Sequence, residues 1–546
     1  MPIPLNHQLS IIMNWTDGTL KQQLGQMIVV RASGYLFDHQ IRYPAWEPSN
    51  EKLRHWIETL NLGGVILLGG SAGELSLRTQ QLQQWSKNPL LIAADIEEGV
   101  GQRFPGATWF PPPMALGEIA KKDLTQAKEY ATQMGVIIAQ EALAVGINWV
   151  LAPVVDVNNN PKNPVINIRS FSDDPKIVSE LAVAFLEGAK TYPVLTSAKH
   201  FPGHGDTSND SHIDLPVIPH EISRLEEIEL VPFRATIGAN VDSIMTAHLL
   251  IPAWDKDRPA TLSKAILTGE LRARLGFKGL IVTDALIMGG VANYASPEEV
   301  AVMAVEAGVD ILLMPKDPEK TLEALVKAVE TGRIPREQIE ASLNRIYQAK
   351  QKVFKNSKTT FNNPLYCVGE LSQKRAKETV KNILNSSLEK GNNITLKPKK
   401  RNLIVVDDLL TCTFLDRQTP GVTIPQQLGY DCQIAELNTL KFFLEDDCST
   451  LLQVFIRASA FRGNAGLSEE VQKIYKKLLK NKIVKGLIIY GSPYAKDWFL
   501  TNTNLLKNQV PWVFSYGQMA DSQKIACETL FNLSEVPDNW VDRFEN

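Results

Sequence analysis

The chain has 546 residues, of which 44% are hydrophobic and 21% are charged, and its formal net charge is −3. This is an ordinary soluble, globular composition, and it excludes disordered, collagen-like and membrane-spanning proteins. The near-neutral charge balance gives no electrostatic footprint for a nucleic-acid partner. The length is too great for one ordinary core and predicts two to four domains, or one large barrel with a smaller partner.

The N-terminal segment and the cysteines bear on the cellular compartment. Residues 1–15 lack a basic segment followed by an unbroken apolar run and a small-residue cleavage site, so we predict no secretory signal and expect a cytoplasmic protein. The five cysteines are odd in number and lack C-x-x-C spacing. Neither a disulfide framework nor a zinc ribbon is therefore expected.

Short apolar runs alternate with helical stretches in the first part of the chain. Eight such runs lie at 27–30, 65–68, 90–94, 149–152, 194–198, 244–247, 280–283 and 311–314. Near-continuous apolar strands separated by helical patterns predict a parallel sheet that is buried on both faces. Helical periodicity is clearest at 127–144, 297–307 and 336–354.

Chargeable residues follow several of these runs, namely Arg31, Asp95, Lys199, His200, His248 and Asp284. Such side chains at the carboxyl ends of eight parallel strands are typical of the active face of a (β/α)8 barrel. We therefore predict an α/β protein in which residues 1–355 form a TIM-type (β/α)8 barrel that carries the catalytic site.

The composition changes after the barrel to Asn, Ser, Lys and Pro, which predicts a linker over 356–401. This linker contains one helical segment, at 372–388, which we interpret as a docking helix. Beyond it, helical patterns such as 468–479 separate four apolar runs, at 403–406, 453–456, 487–490 and 512–515. Residues 402–546 are therefore predicted to form a smaller α/β sandwich domain.

The stretch 199–216, KHFPGHGDTSNDSHIDLP, follows the fifth predicted strand, and half of the chain's eight histidines fall between 200 and 220. As metal chemistry, it supplies nitrogen and oxygen ligands for a zinc or two-metal hydrolase, from His200, His204, Asp206, Asp210 and His212. As acid–base chemistry, Asp210 orients His212, whose other ring nitrogen exchanges a proton with a leaving group. The neighbouring Gly203 and Gly205 indicate a tight loop and favour the acid–base interpretation.

Further candidates lie in other predicted rim loops, and each has a structural alternative. Asp284, in GLIVTDALIMGG, is a candidate nucleophile or a cap of the following helix. Asp95 and Arg103, in ADIEEGVGQRF, can grip the hydroxyl groups of a ligand or form a local ion pair. Arg169, in NPVINIRSF, lies in a long Asn/Pro loop and is either functional or a solvated surface residue.

Together these motifs resemble glycoside hydrolase family 3, specifically its β-N-acetylhexosaminidase branch. KHFPGHGDTSNDSHIDLP is similar to K-H-F-P-G-H-G-x-T-x-x-D-S-H-x-x-L-P, ADIEEGVGQRF resembles D-x-E-G-G-x-V-x-R, and NPVINIRSF resembles N-P-V-I-x-x-R-S-F. The resemblance implies that Asp284 is the nucleophile and that His212 is the general acid/base with Asp210 as its partner. It also implies a set of sugar ligands, Asp95, Arg103, Arg169, Lys199 and His200. One departure is Glu98, which stands where the family has a glycine.

The resemblance implies a retaining exo-β-N-acetylglucosaminidase that removes terminal N-acetylglucosamine from muropeptides or chitin-type oligosaccharides through a covalent glycosyl-enzyme. Its partners would be small carbohydrates, with no cofactor, metal, nucleic acid or membrane. The alternatives are a β-N-acetylglucosaminide phosphorylase or β-glucosidase of the same family, a metal-dependent hydrolase, and a non-catalytic sugar-binding barrel. The natural aglycone and the oligomeric state stay open.

Overall fold

The computed structural model describes residues 18–208, 210–211, 213–354, 368–391, 401–410, 412–443, 448–457, 467–480, 483–503, 505 and 509–533. The chain divides into two compact units, with the boundary between Thr379 and Val380. This boundary falls inside the segment interpreted as a linker, and the three predicted domain ranges themselves remain predictions.

Eight short parallel strands form the sheet of the first unit. They are β1 (Ile28–Ser33), β2 (Gly64–Leu68), β3 (Leu91–Ala94), β4 (Trp149–Val150), β5 (Leu195–Phe201), β6 (Ser243–Thr246), β7 (Leu280–Val282) and β8 (Leu312–Leu313). Their order is β7-β6-β5-β4-β3-β2-β1-β8, and a bridge between Val282 and Ile311 joins the two ends. The first unit is therefore a (β/α)8 barrel, and each of the eight predicted runs overlaps one strand.

Helices connect the barrel strands, and those predicted at 127–144, 297–307 and 336–354 are confirmed as α5, α10 and α12. The α-helices are α1 (Leu20–Gly25), α2 (Asn50–Leu60), α3 (Ala72–Trp85), α4 (Met114–Ala120), α5 (Leu124–Ala144), α6 (Pro175–Ala189), α7 (Ile222–Glu227), α8 (Leu230–Gly238), α9 (Gly289–Ala292), α10 (Pro297–Ala307), α11 (Pro318–Glu330) and α12 (Arg336–Phe354). A π-helix spans Ala265–Arg274, and 3-10 turns occupy Asp38–Gln40, Val100–Gln102, Asn167–Arg169 and Ala260–Leu262.

The ends of α10 show how local sequence sets these helices. The Ser296 hydroxyl accepts the amide hydrogen of Glu299, and Pro297 occupies the first turn, where its missing N–H costs nothing. Gly308 ends the helix with φ 113°, in the left-handed region that favours glycine. These two signals fix the length of α10 and so the point at which the chain enters β8.

Burial of the barrel strands explains the near-continuous apolar runs. Every residue of β3, β5, β6 and β7 is buried, as expected for parallel strands covered on both faces. The structure differs from the prediction at β5, which continues to Phe201 rather than ending at 198. Lys199 and His200 therefore lie within the strand, where charged side chains need partners from neighbouring loops.

The second unit is built on a mixed sheet of six strands. They are β9 (Glu389–Gly391), β10 (Arg401–Val406), β11 (Asp431–Glu436), β12 (Thr450–Ile456), β13 (Val484–Gly491) and β14 (Trp512–Ser515), in the order β11-β10-β12-β13-β14-β9. All pairings are parallel except that of β9 with β14. Its helices are α14 (Pro420–Gln427), α15 (Glu469–Lys480), α16 (Pro493–Asn502) and α17 (Ala520–Phe531), with a 3-10 turn at Leu440–Phe443.

The four central strands of this sheet were predicted, and its two edge strands were missed. The edge strand β11 is largely exposed, and β9 is only three residues long with the polar sequence EKG. An edge strand buries little surface and carries no apolar run, so neither had a recognisable pattern. The α/β character predicted for this part of the chain is confirmed.

A helix, α13 (Lys374–Ser387), lies where the docking helix was predicted, and its beginning belongs to the first unit. Its docking role stays a prediction. There, the Thr379 hydroxyl donates to Oε1 of Gln133 at 3.0 Å, and the Ser372 amide donates to Oε1 of Glu141 at 2.8 Å. Both acceptors lie on α5, so the segment is hydrogen-bonded to the outside of the barrel. Across the described ranges, no helix combines the length and apolar character that a membrane crossing requires.

Candidate active site

Four charged side chains meet at the carboxyl ends of β3, β4 and β5. Nζ of Lys199, which is 1% exposed, lies 2.7 Å from Oδ1 of Asp95 and 2.7 Å from Oε1 of Glu97. The Arg169 guanidinium donates to the same Glu97 carboxylate, from Nε at 2.9 Å and Nη2 at 2.7 Å. The cluster therefore holds two positive and two negative charges, and sequence reasoning missed Glu97 although it lies in the quoted ADIEEGVGQRF.

Mutual pairing keeps these buried groups ionised. Burial alone raises the pKa of Glu97, but the charges of Arg169 and Lys199 bring it well below its usual value. Burial lowers the pKa of Lys199, but Asp95 and Glu97 outweigh this and raise it. The side chains of Asp95 and Arg169 stay 36% and 23% exposed, so charged hydrogen-bonding groups face the open end of the barrel.

The structure gives the contacts of the two candidate arginines. Arg169 is not a solvated surface residue, because its guanidinium is paired with Glu97. Arg103 is exposed and lies beside Asp95, but its Nε donates to the main-chain oxygen of Asp95 at 3.1 Å. The local contact between Asp95 and Arg103 therefore uses a main-chain oxygen as the acceptor and is not the ion pair that was predicted. The role of Arg103 as a sugar ligand stays a prediction.

Asp156, a fully buried residue in the loop after β4, anchors the start of the histidine-rich stretch. Its carboxylate accepts the backbone amide of His200 at 3.1 Å and that of His204 at 2.6 Å, and lies 2.7 Å from Nδ1 of His200. Burial raises the pKa of Asp156, but the interactions with His200 and His204 outweigh it and lower the pKa. Sequence reasoning missed Asp156, whose signal is a lone carboxylate shortly after an apolar strand.

Asn163 joins the loop of Arg169 to the histidine-rich stretch. Its Oδ1 accepts the amides of Val165 and Ile166 at 2.9 and 2.8 Å, which forms a local turn. Its Nδ2 donates to the main-chain oxygens of His204 and Gly205 at 2.8 and 2.9 Å. The backbone that presents Arg169 and the backbone that follows Lys199 are therefore fixed to each other.

His204 holds the loop together. Its Nδ1 lies 2.9 Å from the Thr207 hydroxyl and its Nε2 lies 2.8 Å from the Ser211 hydroxyl. Burial lowers the pKa of His204 to about 4, so the ring is neutral at physiological pH. In the part of the chain that the structure describes, no three His, Cys, Asp or Glu side chains are grouped so as to hold a metal ion. Asp206, another ligand of the metal interpretation, is instead paired with His220 at 2.8 Å.

The predicted acid/base residue His212 lies outside the described residues, so its pairing with Asp210 remains a prediction. Asp210 is buried, and its main-chain oxygen accepts the amides of Ile213 and Asp214, each at 3.0 Å. The main-chain oxygen of Ser211 accepts the amide of Gly290 at 3.1 Å. A Cβ on Gly290 would lie 3.0 Å from that oxygen, so a glycine permits this close approach of the loop to α9.

Asp284 directly follows the end of β7 and is half-buried. Its Oδ1 accepts the amide of Ala285 at 2.8 Å. The helix-cap alternative is wrong, because the next helix, α9, begins only at Gly289. His248, after β6, lies with Nε2 3.1 Å from the Ala285 carbonyl oxygen and thereby steadies this segment.

Two family models match the chain. The one described as Glycosyl hydrolase family 3 N terminal domain covers residues 19–349, and the one described as Bacterial Glycosyl hydrolase family 3 C-terminal domain covers residues 393–532. Beta-hexosaminidase A of Pseudoalteromonas piscicida is 38% identical over 337 residues, which are 56% of this chain and 56% of that protein. The chain thus spans little more than half the length of this relative.

Two further comparisons extend the similarity. Beta-hexosaminidase of Nitrosomonas eutropha is 36% identical over 283 residues, which are 50% of this chain and 81% of that protein. A solved structure, a glycoside hydrolase family 3 beta-N-acetylglucosaminidase from Paenibacillus sp. str. FPU-7, is 29% identical with a TM-score of 0.77. That similarity covers 94% of this chain and 97% of the Paenibacillus chain, and so includes both units.

Proposed function

Because the chain belongs to glycosyl hydrolase family 3, we propose that it is a retaining exo-β-N-acetylglucosaminidase. The observation that carries this proposal is the paired but open cluster of Asp95, Glu97, Arg169 and Lys199, at the same face of the barrel as Asp284. The names of the relatives, two beta-hexosaminidases and one beta-N-acetylglucosaminidase, support the same activity.

The first chemical step assigns Asp284 as the nucleophile. One carboxylate oxygen attacks the anomeric carbon, and the bond from that carbon to the glycosidic oxygen breaks. His212, protonated at the start, gives its proton to the departing oxygen. The products of this step are the free aglycone alcohol and a covalent glycosyl-enzyme ester on Asp284.

In the second step, His212 accepts a proton instead of donating one. Neutral His212 takes a proton from water, the water oxygen attacks the anomeric carbon, and the ester bond to Asp284 breaks. The sugar leaves with its original configuration, because the anomeric carbon has been inverted twice. An imidazole suits both halves of the cycle, since an unperturbed histidine titrates at about pH 6.5. Asp210 would orient the ring in both steps.

The remaining part of the proposal is recognition of the sugar hydroxyls. Asp95, Arg103, Arg169, Lys199 and His200 are the proposed ligands. Since Lys199 is held between two carboxylates and Arg169 is held by Glu97, binding needs little further ordering of these side chains. Glu97 and Asp156 serve here as positioning residues, because each supports a proposed ligand through hydrogen bonds.

Substrates of this enzyme would be muropeptides or chitin-type oligosaccharides that end in N-acetylglucosamine. A role in peptidoglycan recycling requires that the protein reside in the cytoplasm, which cell fractionation tests directly. The muropeptide and chitin alternatives are distinguished by comparing kcat/KM for a disaccharide that ends in N-acetylmuramic acid with that for N,N′-diacetylchitobiose.

The decisive experiment compares an aryl N-acetyl-β-glucosaminide with the matching aryl β-glucoside. We expect turnover of the first to exceed that of the second, release of free sugar when phosphate is supplied, and unchanged activity after exhaustive chelation. Formation of a sugar 1-phosphate would identify the enzyme as a phosphorylase rather than a hydrolase. Loss of activity on chelation would support the metal-dependent hydrolase instead. No turnover of either glycoside would leave a sugar-binding barrel.

A further inference from the structure

Two exposed aromatic rings stand together in the loop between β1 and α2, residues 34–49. Tyr43, Pro44, Ala45 and Trp46 form a tight turn, in which the Trp46 amide donates to the Tyr43 carbonyl at 2.9 Å. The turn brings the two rings into a stack with centroids 5.9 Å apart and planes at 17°. Tyr43 is 44% exposed and Trp46 is 41% exposed, so the pair, here called the aromatic platform, faces solvent.

An ion pair between the partly buried Arg31 and the buried Glu47 supports the aromatic platform. The Arg31 guanidinium carbon lies 5.2 Å from the centre of the Tyr43 ring and 5.5 Å from that of Trp46. Nε and Nη2 of Arg31 donate to one oxygen of Glu47, at 3.1 and 3.0 Å, and the Glu47 side chain is only 2% exposed. These contacts fix the platform before any ligand arrives, which reduces the entropy lost on binding.

The aromatic platform lies at the face of the barrel that carries the proposed active site. The loop that carries the platform begins at the end of β1 and leads into α2. A loop that connects a strand to the following helix lies at the carboxyl ends of the barrel strands. In the barrel order, β1 is reached from β7 through β8, and from β3 through β2. The platform is therefore midway along the rim between Asp284 and Asp95, opposite the β5 strand that carries Lys199.

We propose that the aromatic platform binds the aglycone sugar, the residue on the reducing side of the bond that is cleaved. This inference rests on the proposed function. The polar ligands proposed from β3, β4 and β5 suit the hydroxyl groups of the terminal sugar. A pyranose ring also has an apolar face of C–H groups, and burying that face against flat aromatic rings is favourable. Tyr43 and Trp46 offer such a surface on the side of the rim that those polar ligands leave open.

The platform implies a preference for substrates with a second sugar ring. A leaving group without a ring gains nothing from Tyr43 and Trp46, whereas a disaccharide gains one stacking contact. The gain should enter mainly through KM, because the platform touches the aglycone and not the reacting atoms. We propose that the group bound by these rings is a sugar. If the rings instead bound a protein partner, changes to them would leave the kinetics of small substrates unaffected.

The test compares kcat/KM for N,N′-diacetylchitobiose with that for N-acetylglucosaminyl fluoride, whose leaving group has no ring. In Trp46→Ala, we expect the ratio of chitobiose to fluoride to fall about tenfold, the size expected for one lost aromatic contact. Trp46→Phe keeps a ring on Arg31 and should restore most of the ratio. Since Trp46 is exposed, both variants are expected to fold, and thermal unfolding checks this.

Phe37→Ala is the matched control, because Phe37 is an aromatic residue in the same loop, 60% exposed, and stacked on His39 rather than on the platform. Its ratio should stay within about twofold of wild type, the usual range for a surface change away from a site. An unchanged ratio in Trp46→Ala, or an equal fall in Phe37→Ala, overturns the platform while the enzyme activity stands. A wild-type protein that cleaves neither substrate overturns the proposed function itself.

Discussion

The two ends of the barrel both bury charged side chains, but they use them differently. At the amino end, the Asp310 carboxylate is 0% exposed. It accepts the Ile281 amide at 2.8 Å, the Ser342 hydroxyl at 2.7 Å, two donors of Arg345 at 2.9 and 2.7 Å, and one donor of Arg272. A carboxylate has about four lone-pair positions, so its acceptor capacity is used up within the protein.

At the carboxyl end, the charges are paired but not saturated. Asp95 accepts Lys199 on Oδ1, yet 36% of its side chain remains open to solvent. Arg169 gives a two-point contact to Glu97 and still keeps 23% of its side chain exposed. Burial of charge therefore does not by itself mark a binding site. What distinguishes the rim is that its charged groups retain hydrogen-bonding capacity towards a ligand.

The largest expected effect concerns Asp284, the proposed nucleophile at the carboxyl end of the barrel. Asp284→Asn removes the carboxylate charge but keeps the shape of the side chain, so kcat on an aryl N-acetylglucosaminide should fall by about 10⁴-fold or more. Binding of N-acetylglucosamine, measured by calorimetry, should change little. Intact-mass analysis of the wild type with a slow fluorosugar should show an adduct, and mapping of that adduct to another carboxylate would refute the assignment.

His212→Ala should lower cleavage of a disaccharide by about 10²–10⁴-fold, the usual contribution of general acid catalysis. A nitrophenyl leaving group needs less protonation, so formation of the glycosyl-enzyme from a nitrophenyl glycoside should suffer much less. Azide should restore breakdown of the trapped intermediate, because an anion needs no base.

Asp210→Asn is the milder companion of this variant. It removes the group proposed to orient the imidazole but leaves the imidazole in place, so both effects should be smaller than in His212→Ala. Equal losses on good and poor leaving groups, without azide rescue, would make His212 a structural residue.

At the amino end of the barrel, we expect a substitution to lower stability rather than activity. Asp310→Asn leaves Arg272 and Arg345 without their buried counter-charge, and the free energy of unfolding should fall by about 3–5 kcal/mol. Activity per folded molecule should stay within about twofold, since this end has no proposed contact with substrate. Urea unfolding combined with kcat measured at low temperature separates the two quantities. A large loss of kcat in folded Asp310→Asn would break the distinction between the two ends.

The smallest expected effect is a pH dependence at the same end of the barrel. Lys350 is buried, donates to Oε1 of Gln26 at 2.7 Å, and burial lowers its pKa to about 7. The unfolded chain holds this proton up to about pH 10.4. The unfolded state therefore binds more protons between these values, so the penalty from Lys350 is complete below pH 7 and fades as the pH rises towards 10.

Lys350→Met removes that penalty. We expect the variant to have a larger free energy of unfolding than the wild type at pH 6, with the advantage shrinking by pH 10. Urea unfolding of both proteins at pH 6, 8 and 10 measures this difference. A constant difference across the series would mean that Lys350 does not change its protonation in the folded protein.

The barrel could be predicted because the signals for its strands and helices lie in short, continuous stretches of sequence. Buried parallel strands are apolar throughout, and helix ends such as Ser296 and Gly308 carry their own signals. The edge strands β9 and β11 were not predicted, because an exposed strand is held by backbone hydrogen bonds to its neighbour and leaves no pattern in the side chains. The extension of β5 to Phe201 escaped because charged residues in a strand look like the beginning of a loop.

The site was predictable only as far as single residues reveal their chemistry. Asp95 and Lys199 could be singled out by their positions after apolar runs, but the pairing of Lys199 with Glu97 could not. Asp156 is 44 positions away from His200 along the chain, and only the fold brings them together. The helix-cap alternative for Asp284 failed because α9 begins five residues later, at Gly289, where the Gly290 amide donates to the main-chain oxygen of Ser211 in a distant part of the chain.

Because of the contact between Gly290 and Ser211, the exchange rate of one backbone amide hydrogen reports on opening of the candidate active site. The Gly290 amide can exchange with solvent deuterium only when it leaves the Ser211 carbonyl oxygen, 3.1 Å away. Its exchange rate therefore counts how often the residues next to His212 separate from the segment that follows Asp284. A sugar that holds the two together should slow this single amide, and hydrogen exchange measured by NMR, which resolves individual amides, can follow it.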